Sequence, residues 1–433
     1  MSDERVLARD IFALALPALG VLAAMPLYLL LDTAIVGRLG GFELAALAAG
    51  ATVQSSVTTQ LTFLSYGTTA RSARLFGAGR RSDAVAEGVQ ATWLALIVGL
   101  VLAALVWVGA DHIAWWLTGD EAVATAAASW LSISATAIPL TLMVMAGNGW
   151  LRGIQDTRRP LIFVLSGIIP GAVAIVVFVN RFGLIGSAMA NVLGMAISAT
   201  LFITCLLREH DGSWRPDPHV MWRQLILGRD LIVRSLSFQV AFISAAAVAA
   251  RFGTAALAAH QVMLQLWNFI SLVLDSLAIA AQSLTGAALG RGTVNTARLI
   301  GRRVVLYSLV FSAGLAGVFS LGARVIPRWF TSDQAVLDAM RLPWWILLVM
   351  IVVGGVVFAL DGVLLGAGDA AFLRTISIGA VICGFLPGVW ISYAVGAGLP
   401  GIWLGLASFI ALRALAVGWR FHSMRWAVTG ATV

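Results

Sequence analysis

The chain is a succession of about twelve apolar runs, most of them twenty residues or longer, separated by short breaks rich in charge, glycine or proline. A helix needs roughly twenty apolar residues to cross a bilayer. Backbone in lipid must satisfy its own hydrogen bonds, so runs of this kind fold as helices packed within a membrane. Breaks read from charge, Gly and Pro predict helices near residues 10–38, 43–75, 83–109, 121–151, 160–180 and 184–207, then 230–251, 255–289, 296–322, 333–365, 371–394 and 399–421. Several exceed the bilayer thickness, which implies tilt or extension into water. Only 11% of residues are charged, against about a quarter in soluble domains, so lipid is the solvent for most of the surface. The expected fold class is therefore an all-α membrane protein of twelve transmembrane helices.

All basic residues are arginine, and they lie in the breaks between apolar runs. A nucleic-acid-binding chain would gather them on one face or element, so no nucleic-acid partner is expected. With the N-terminus placed inside, 22 arginines, among them Arg5, fall on inner segments and 6 on outer ones. That asymmetry is the positive-inside pattern, and it places both termini in the cytoplasm. Met1 to Asp10 is short and charged, and the apolar run after it is too long for a signal-peptide core. The first helix is expected to be retained. Arginine without lysine, in a chain rich in Ala and Gly, hints at a GC-rich bacterial genome. Cys205 and Cys383 lie in separate apolar runs, so no disulfide framework, metal cluster or cofactor site is built from them.

The two halves repeat each other. Gly40 and Gly253, Gly77 and Gly290, Gly79 and Gly292, Gly153 and Gly366, and Asp156 and Asp369 are all 213 positions apart, while Gly183 and Gly186 match Gly398 and Gly401 at 215. The division is an N-lobe over residues 1–209 (helices 1–6), a polar connector over 210–228, and a C-lobe over 229–433 (helices 7–12). Six spans per half give both halves the same orientation, with the symmetry axis along the membrane normal and a cleft between them. That arrangement suits a transporter in which one half rocks against the other. A duplicated membrane protein without transport activity is the alternative.

Three acids fall well inside predicted spans: Asp32, Asp275 and Asp361. A carboxylate at the bilayer centre costs about 2.5–3.5 kcal/mol on insertion scales, so each is a candidate site for a coupling ion. Asp32 follows Pro17 and Pro26 in helix 1, and proline favours a kink. A buried carboxyl without a counter-charge is cheaper neutral than charged, which suits a proton carrier. The alternative is an acid held by a neighbouring arginine. Asp275 belongs to a polar stripe with Gln261, Gln265, Asn268 and Gln282 on one face of helix 8, with Val262, Leu266, Phe269, Ile270 and Val273 opposite. The stripe reads as the wall of a substrate cavity or as glue between helices. Ser55, Thr58, Thr62, Ser65 and Thr69 on helix 2 read as hydroxyls bonded back to their own helix. Asp361 has Asn148 as its repeat counterpart, whereas Asp32 and Asp275 correspond to Ala245 and Thr62. Positions shared between halves read as architecture, and unshared acids as function. Asp156 and Asp369 read as caps of the helices that follow them. Arg234 and Arg413 lie near helix ends and are expected to snorkel to the inner interface. Pairing with Asp361 or Asp275 is the other option.

At these positions the chain resembles the multidrug and toxin extrusion (MATE) family, in its DinF branch. The resemblance covers nearly the whole chain. It is carried by Leu31-Asp32-Thr-Ala-Ile-Val-Gly-Arg-Leu-Gly40, Trp150-Leu-Arg-Gly-Ile-Gln-Asp156-Thr, Leu227-Gly-Arg-Asp-Leu-Ile-Val-Arg234-Ser, Leu274-Asp275-Ser-Leu-Ala, Leu360-Asp361-Gly-Val-Leu-Leu-Gly366-Ala and Ala411-Leu-Arg413-Ala-Leu. It implies a two-lobed twelve-helix fold and cation-coupled antiport of organic compounds. It also implies that Asp32 takes part in coupling and that Pro26 permits bending. Relatives often carry an Asn and an Asp on helix 5 that join the helix 1 acid. Here Leu161 to Val179 has neither, and Gly167-Ile-Ile-Pro170-Gly171 occupies the region, so an N-lobe ion site must be built differently.

The leading expectation is proton-coupled export of small organic compounds, cationic or amphipathic, by a monomer embedded in membrane lipid. The coupling ion is expected to be a proton, because sodium wants several oxygen ligands that the reduced N-lobe set lacks. The alternative is a flippase for lipid-linked sugars or lipids, of a related superfamily. Such a protein needs a more basic cavity, and arginines facing a cavity would favour it. An enzyme would need a cluster of paired acids or Ser/His/Asp partners, and His112, His210, His219, His260 and His422 are scattered.

Overall fold

The structure is a computed structural model, and it describes residues 8–431. Arg5 of the arginine asymmetry and both chain ends lie outside the described residues. Among those described, all regular structure is helical. The chain runs through α1 (Ala8–Val36), α2 (Gly41–Gln60), α3 (Phe63–Gly77), α4 (Arg81–Thr118), α5 (Glu121–Ser134), α6 (Ala137–Gly153), α7 (Arg158–Phe182) and α8 (Leu184–Glu209). It continues through α9 (Pro218–Arg251), α10 (Thr254–Gly290), α11 (Val294–Leu321), α12 (Gln334–Gly366), α13 (Ala370–Ala380), α14 (Leu386–Val395) and α15 (Gly398–His422).

Ten helical segments are long and apolar enough to cross a bilayer, with α13 and α14 counted as one, and the bent pair α5–α6 makes an eleventh. The remaining expected span, α2–α3, falls short in hydropathy because α2 ends in Gln54-Ser-Ser-Val-Thr-Thr-Gln60. The breaks have local causes. Pro139 has no N–H to offer the Ala135 carbonyl one turn earlier. That carbonyl instead takes Ile138 N at 3.0 Å, and α5 and α6 meet at 47°. Pro387 does the same to Cys383, and the chain answers with a π-helical turn over Val381–Phe385 in which Leu386 N bonds Val381 O. Between α2 and α3, Thr58 and Thr62 donate to carbonyls at Gln54 and Thr59.

Three expected boundaries shift. The third span extends from the expected 109 to Thr118, because Asp111 and His112 are carried within the helix. Helix 7 begins at Pro218, not near 230, since Pro fits the first turn of a helix. The polar connector therefore shortens to residues 210–217. It is fastened to α4: Gln90 Nε2 donates to Arg215 O at 3.0 Å, Asp217 N donates to Gln90 Oε1 at 2.7 Å, and Trp93 Nε1 donates to Trp214 O at 2.8 Å.

The chain divides into two compact units, one over Leu16–Gly228 (the N unit) and one over Arg229–Ala431 with residues 8–15 (the C unit). Each is held by the same device. In the N unit, α6 lies on α3 through Gly149 and Gly153; a Cβ at Gly153 would stand 2.4 Å from Ser72 Cβ. In the C unit, α12 lies on α10 through Gly362 and Gly366; a Cβ at Gly362 would stand 2.2 Å from Ala278 O. Both pairs are spaced four residues apart on one helix face and 213 positions from each other, so the repeat records close helix packing through small residues. The C-unit core gathers Met263, Trp267, Ile270, Trp344, Phe385 and Trp403.

Candidate functional site

The three intramembrane acids have three different environments. Asp32 on α1 is 2% exposed, and its Oδ1 has no hydrogen-bond partner. Ser187, near the start of α8, is its hydrogen-bonding neighbour, and Ser187 in turn receives Trp130 Nε1 at 3.2 Å. Tyr28, one turn before Asp32 on the same face, is buried with an unpartnered hydroxyl. Asn191, one turn beyond Ser187, is buried with Oδ1 unpartnered. Among the described residues no guanidinium bonds Asp32. The Gly-rich run on α7 acts as packing: Gly167 meets Ser198 and Gly194 O of α8, and Gly171 meets the Tyr28 ring.

Asp361 is the opposite case. It is 5% exposed, and its Oδ2 accepts Arg234 Nη2 at 2.6 Å and also Arg413 Nη2. The two guanidinium groups lie over the Phe238 ring, at 5.5 and 5.1 Å from its centroid. Arg413 is 4% exposed. The expectation that these arginines snorkel to the interface is therefore corrected: α9, α12 and α15 close around them, and the carboxylate is their counter-charge. Both guanidinium groups bond the one oxygen Oδ2, and Asp361 Oδ1 has no hydrogen-bond partner.

Asp275 on α10 is half-buried, and its stripe is not uniform. Gln261, Gln265 and Asn268 are exposed, whereas Gln282 is buried where Gly366 of α12 presses on its backbone. The Gln282 backbone thus belongs to the α10–α12 packing. The core side of α10 is Met263, Leu266, Trp267, Ile270 and Leu274. Phe269, expected on that side, is 59% exposed, because position 269 neighbours the stripe more than the core. Of the helix 2 hydroxyls, Ser55, Thr58, Thr62 and Thr69 donate to carbonyls of their own helical segments. Asp156 caps α7, accepting Arg158 N and Arg159 N at 3.1 and 3.0 Å. Asp369 does not cap α13 with its side chain; it receives Arg420 from Nε and Nη2. Pro17 and Pro26 both lie inside the continuous helix α1.

The N unit also holds a cavity of about 210 Å³. Val21, Leu22 and Met25 of α1 form one wall, Met145 and Met195 others. Its polar end carries Ser65, Asn148 and Arg152. Arg152 is buried and donates from Nη1 to Ser65 Oγ at 3.1 Å. Among the described lining residues there is no carboxylate. The sequence reading missed this group and missed Tyr28, Ser187 and Asn191. The available signals were spacing, with Tyr28 four before Asp32 and Arg152 four after Asn148, and the pairing of Asn148 with Asp361 in the repeat.

A buried acid without a counter-ion and a cavity share one helix. Met25 lines the cavity and Asp32 stands seven residues on, about 10 Å along an α-helix, with Pro26 between them. The MatE family model matches this chain twice, over residues 17–178 and 231–390, one match to each half of the repeat. The DNA damage-inducible protein F of Escherichia coli (strain K12) is 31% identical over 387 residues, 84% of this chain and 82% of that protein. Protein DETOXIFICATION 44, chloroplastic, of Arabidopsis thaliana is 30% identical over 383 residues, 84% of this chain and 73% of that protein. A transporter of the MOP superfamily from Pyrococcus furiosus has the same fold, with a TM-score of 0.87 at 20% identity and coverage of 96% of each chain.

Proposed function

Since the chain belongs to the MatE family of multidrug transporters, we propose that it is a proton-coupled antiporter that exports small organic compounds by alternating access, with Asp32 as the coupling carboxylate. The observation that carries this reading is the buried, incompletely partnered Asp32 carboxyl on the proline-containing helix that also walls the N-unit cavity. A carboxyl without a guanidinium partner can exchange a proton without breaking an ion pair, and its neighbours Ser187 and Tyr28 are two neutral hydroxyls, few oxygen ligands for a sodium ion. A bend at Pro26 changes the cavity wall and the surroundings of Asp32 together, which is the physical link an antiporter needs between substrate and ion. Asp361 serves in this account as the counter-charge of Arg234 and Arg413, and Asp275, half-buried on α10, is a secondary candidate for ion binding. The protein is a multi-pass membrane protein. A bacterial cytoplasmic membrane with both chain ends on the cytoplasmic side fits its arginine distribution, and a monomer needs no further subunit to complete either unit.

The lipid-linked sugar flippase calls for a basic cavity. One arginine lines this one, which supplies little charge for a pyrophosphate headgroup. The test is transport in proteoliposomes. With a proton gradient imposed, the wild type accumulates a substrate and Asp32→Asn does not, with or without sodium. Accumulation that follows a sodium gradient alone, or that persists in Asp32→Asn, removes the reading.

A further inference from the structure

The repeat pairs α4 of the N unit with α11 of the C unit at the offset of 213, and the two helices treat the same face differently. On α4 that face is covered by the connector: Gln90 donates to Arg215 O and accepts from Asp217 N, and Trp93 Nε1 donates to Trp214 O. The arginines at its start are held by acids, Arg80 by Asp83 and Arg81 by Glu209. On α11 the position of Gln90 is Arg303 and that of Trp93 is Leu306, and both are exposed. The segment after α15 is the connector's repeat counterpart, and it takes another course. Its Trp426 stacks on Phe421 with ring centroids 5.5 Å apart, and Gly430 N donates to Leu289 O at 3.3 Å.

The face left bare is basic at one end and apolar above it. Arg298, Arg302 and Arg303 on the first turns of α11, and Arg291 just before them, are all exposed. Among the described residues none of the four is in an ion pair. The chain has no Asp or Glu between Asp275 and Asp333, so no acid close along the chain neutralises them. Arg298, Arg302, Leu306 and Leu309 recur at helical spacing and share one face, edged by Arg303 and Val310. Leu306 and Val310 are 48% and 63% exposed, whereas Ala297, Ile300, Val304 and Ser308 on the other side are buried. In a membrane protein such an apolar face meets acyl chains. Arginines one or two turns beneath it stand at the depth of the headgroups, where the anion at hand is a lipid phosphate. A guanidinium fork matches phosphate oxygens in both charge and geometry.

We propose that this end of α11 binds an anionic phospholipid. Its phosphate lies between Arg298 and Arg302, one turn apart, with Arg303 and Arg291 beside it, and its acyl chains run along Leu306 and Val310. The lipid covers in the C unit the face that the connector covers in the N unit. The site goes beyond the antiport reading and does not depend on it.

The test is native mass spectrometry of the full-length protein in detergent, titrated with phosphatidylglycerol or with phosphatidylcholine of the same acyl chains. Phosphatidylglycerol is expected to bind about tenfold or more tighter, the scale of two arginines facing an anionic surface. Arg298→Gln together with Arg302→Gln should weaken phosphatidylglycerol about tenfold and leave phosphatidylcholine as it was. Both positions are exposed, so the fold is not at stake. Arg80→Gln together with Arg81→Gln removes the same two charges from α4, where acids already hold them, and should change the affinity less than about threefold. Inorganic phosphate in large excess should not displace the lipid, because it has no chains to lay on Leu306 and Val310. Equal affinity for the two lipids, as large a loss in the α4 variant as in the α11 variant, or displacement by inorganic phosphate overturns the proposal.

Discussion

Asp361 Oδ2 lies 2.6 Å from Arg234 Nη2 in the interior of the C unit, and the same oxygen receives Arg413. Removing one member of a buried ionic cluster leaves an uncompensated charge, at a cost of about 3–5 kcal/mol. Asp361→Asn is therefore expected to lower the unfolding temperature in detergent sharply. Asp32→Asn, at an acid without a guanidinium partner, is expected to leave it unchanged or to raise it. Thermal unfolding of the two variants side by side separates the structural acid from the coupling acid.

The backbone contact between α10 and α12 makes a second prediction. A Cβ at Gly366 would lie 2.3 Å from Gln282 O, with carbonyl backbone and not a flexible side chain in the way. Gly366→Leu must push the helices apart, and overpacking of this kind costs about 1–3 kcal/mol or more. The expected result is a protein that elutes broadly in size-exclusion chromatography. Gly379→Leu, where nothing lies within 4 Å of an added Cβ, should elute as the wild type.

Much of this fold was legible before any coordinates. Apolar runs locate the helices because lipid demands them, and the recurrence of Gly153 as Gly366 marked the two helix contacts on which each unit is built. The breaks at Ala135 and Cys383 were legible in principle, since Pro139 and Pro387 stand four residues beyond each. The fates of the three acids were not. Asp32 and Asp361 look alike along the chain, and what separates them is Arg234 and Arg413, which come from helices 127 residues before and 52 residues after Asp361. Sequence distance carries no information about such closure. The cavity was hidden for a related reason: it is defined by what Asn148 and Val21 do not fill, and an absence of volume has no motif.

Pro26 lies between the cavity wall at Met25 and the carboxyl of Asp32. Pro26→Ala restores a helical N–H and stiffens that turn against bending. It is expected to lower the transport rate about tenfold or more while changing substrate affinity less than threefold, the signature of a conformational step rather than a binding step. Turnover in proteoliposomes and equilibrium dialysis on the same preparation give the two numbers.

The connector is held to α4 by Trp93 and by Gln90, and Gln90 both donates to Arg215 O and accepts from Asp217 N. Gln90→Leu keeps the size and removes both bonds. Chymotrypsin should then cut after Trp214 several times faster than in the wild type, because cleavage follows the population of the open segment. Cleavage elsewhere in the chain should keep its rate.

The central claim is that substrate and proton exclude each other through Asp32. The most direct measurement is proton release on addition of a transported substrate to purified protein in weakly buffered detergent, read with a pH-indicator dye. The wild type is expected to release protons in proportion to the substrate bound, and Asp32→Asn to bind substrate with none released. Equal proton release from both proteins, or none from the wild type at saturating substrate, would contradict the account.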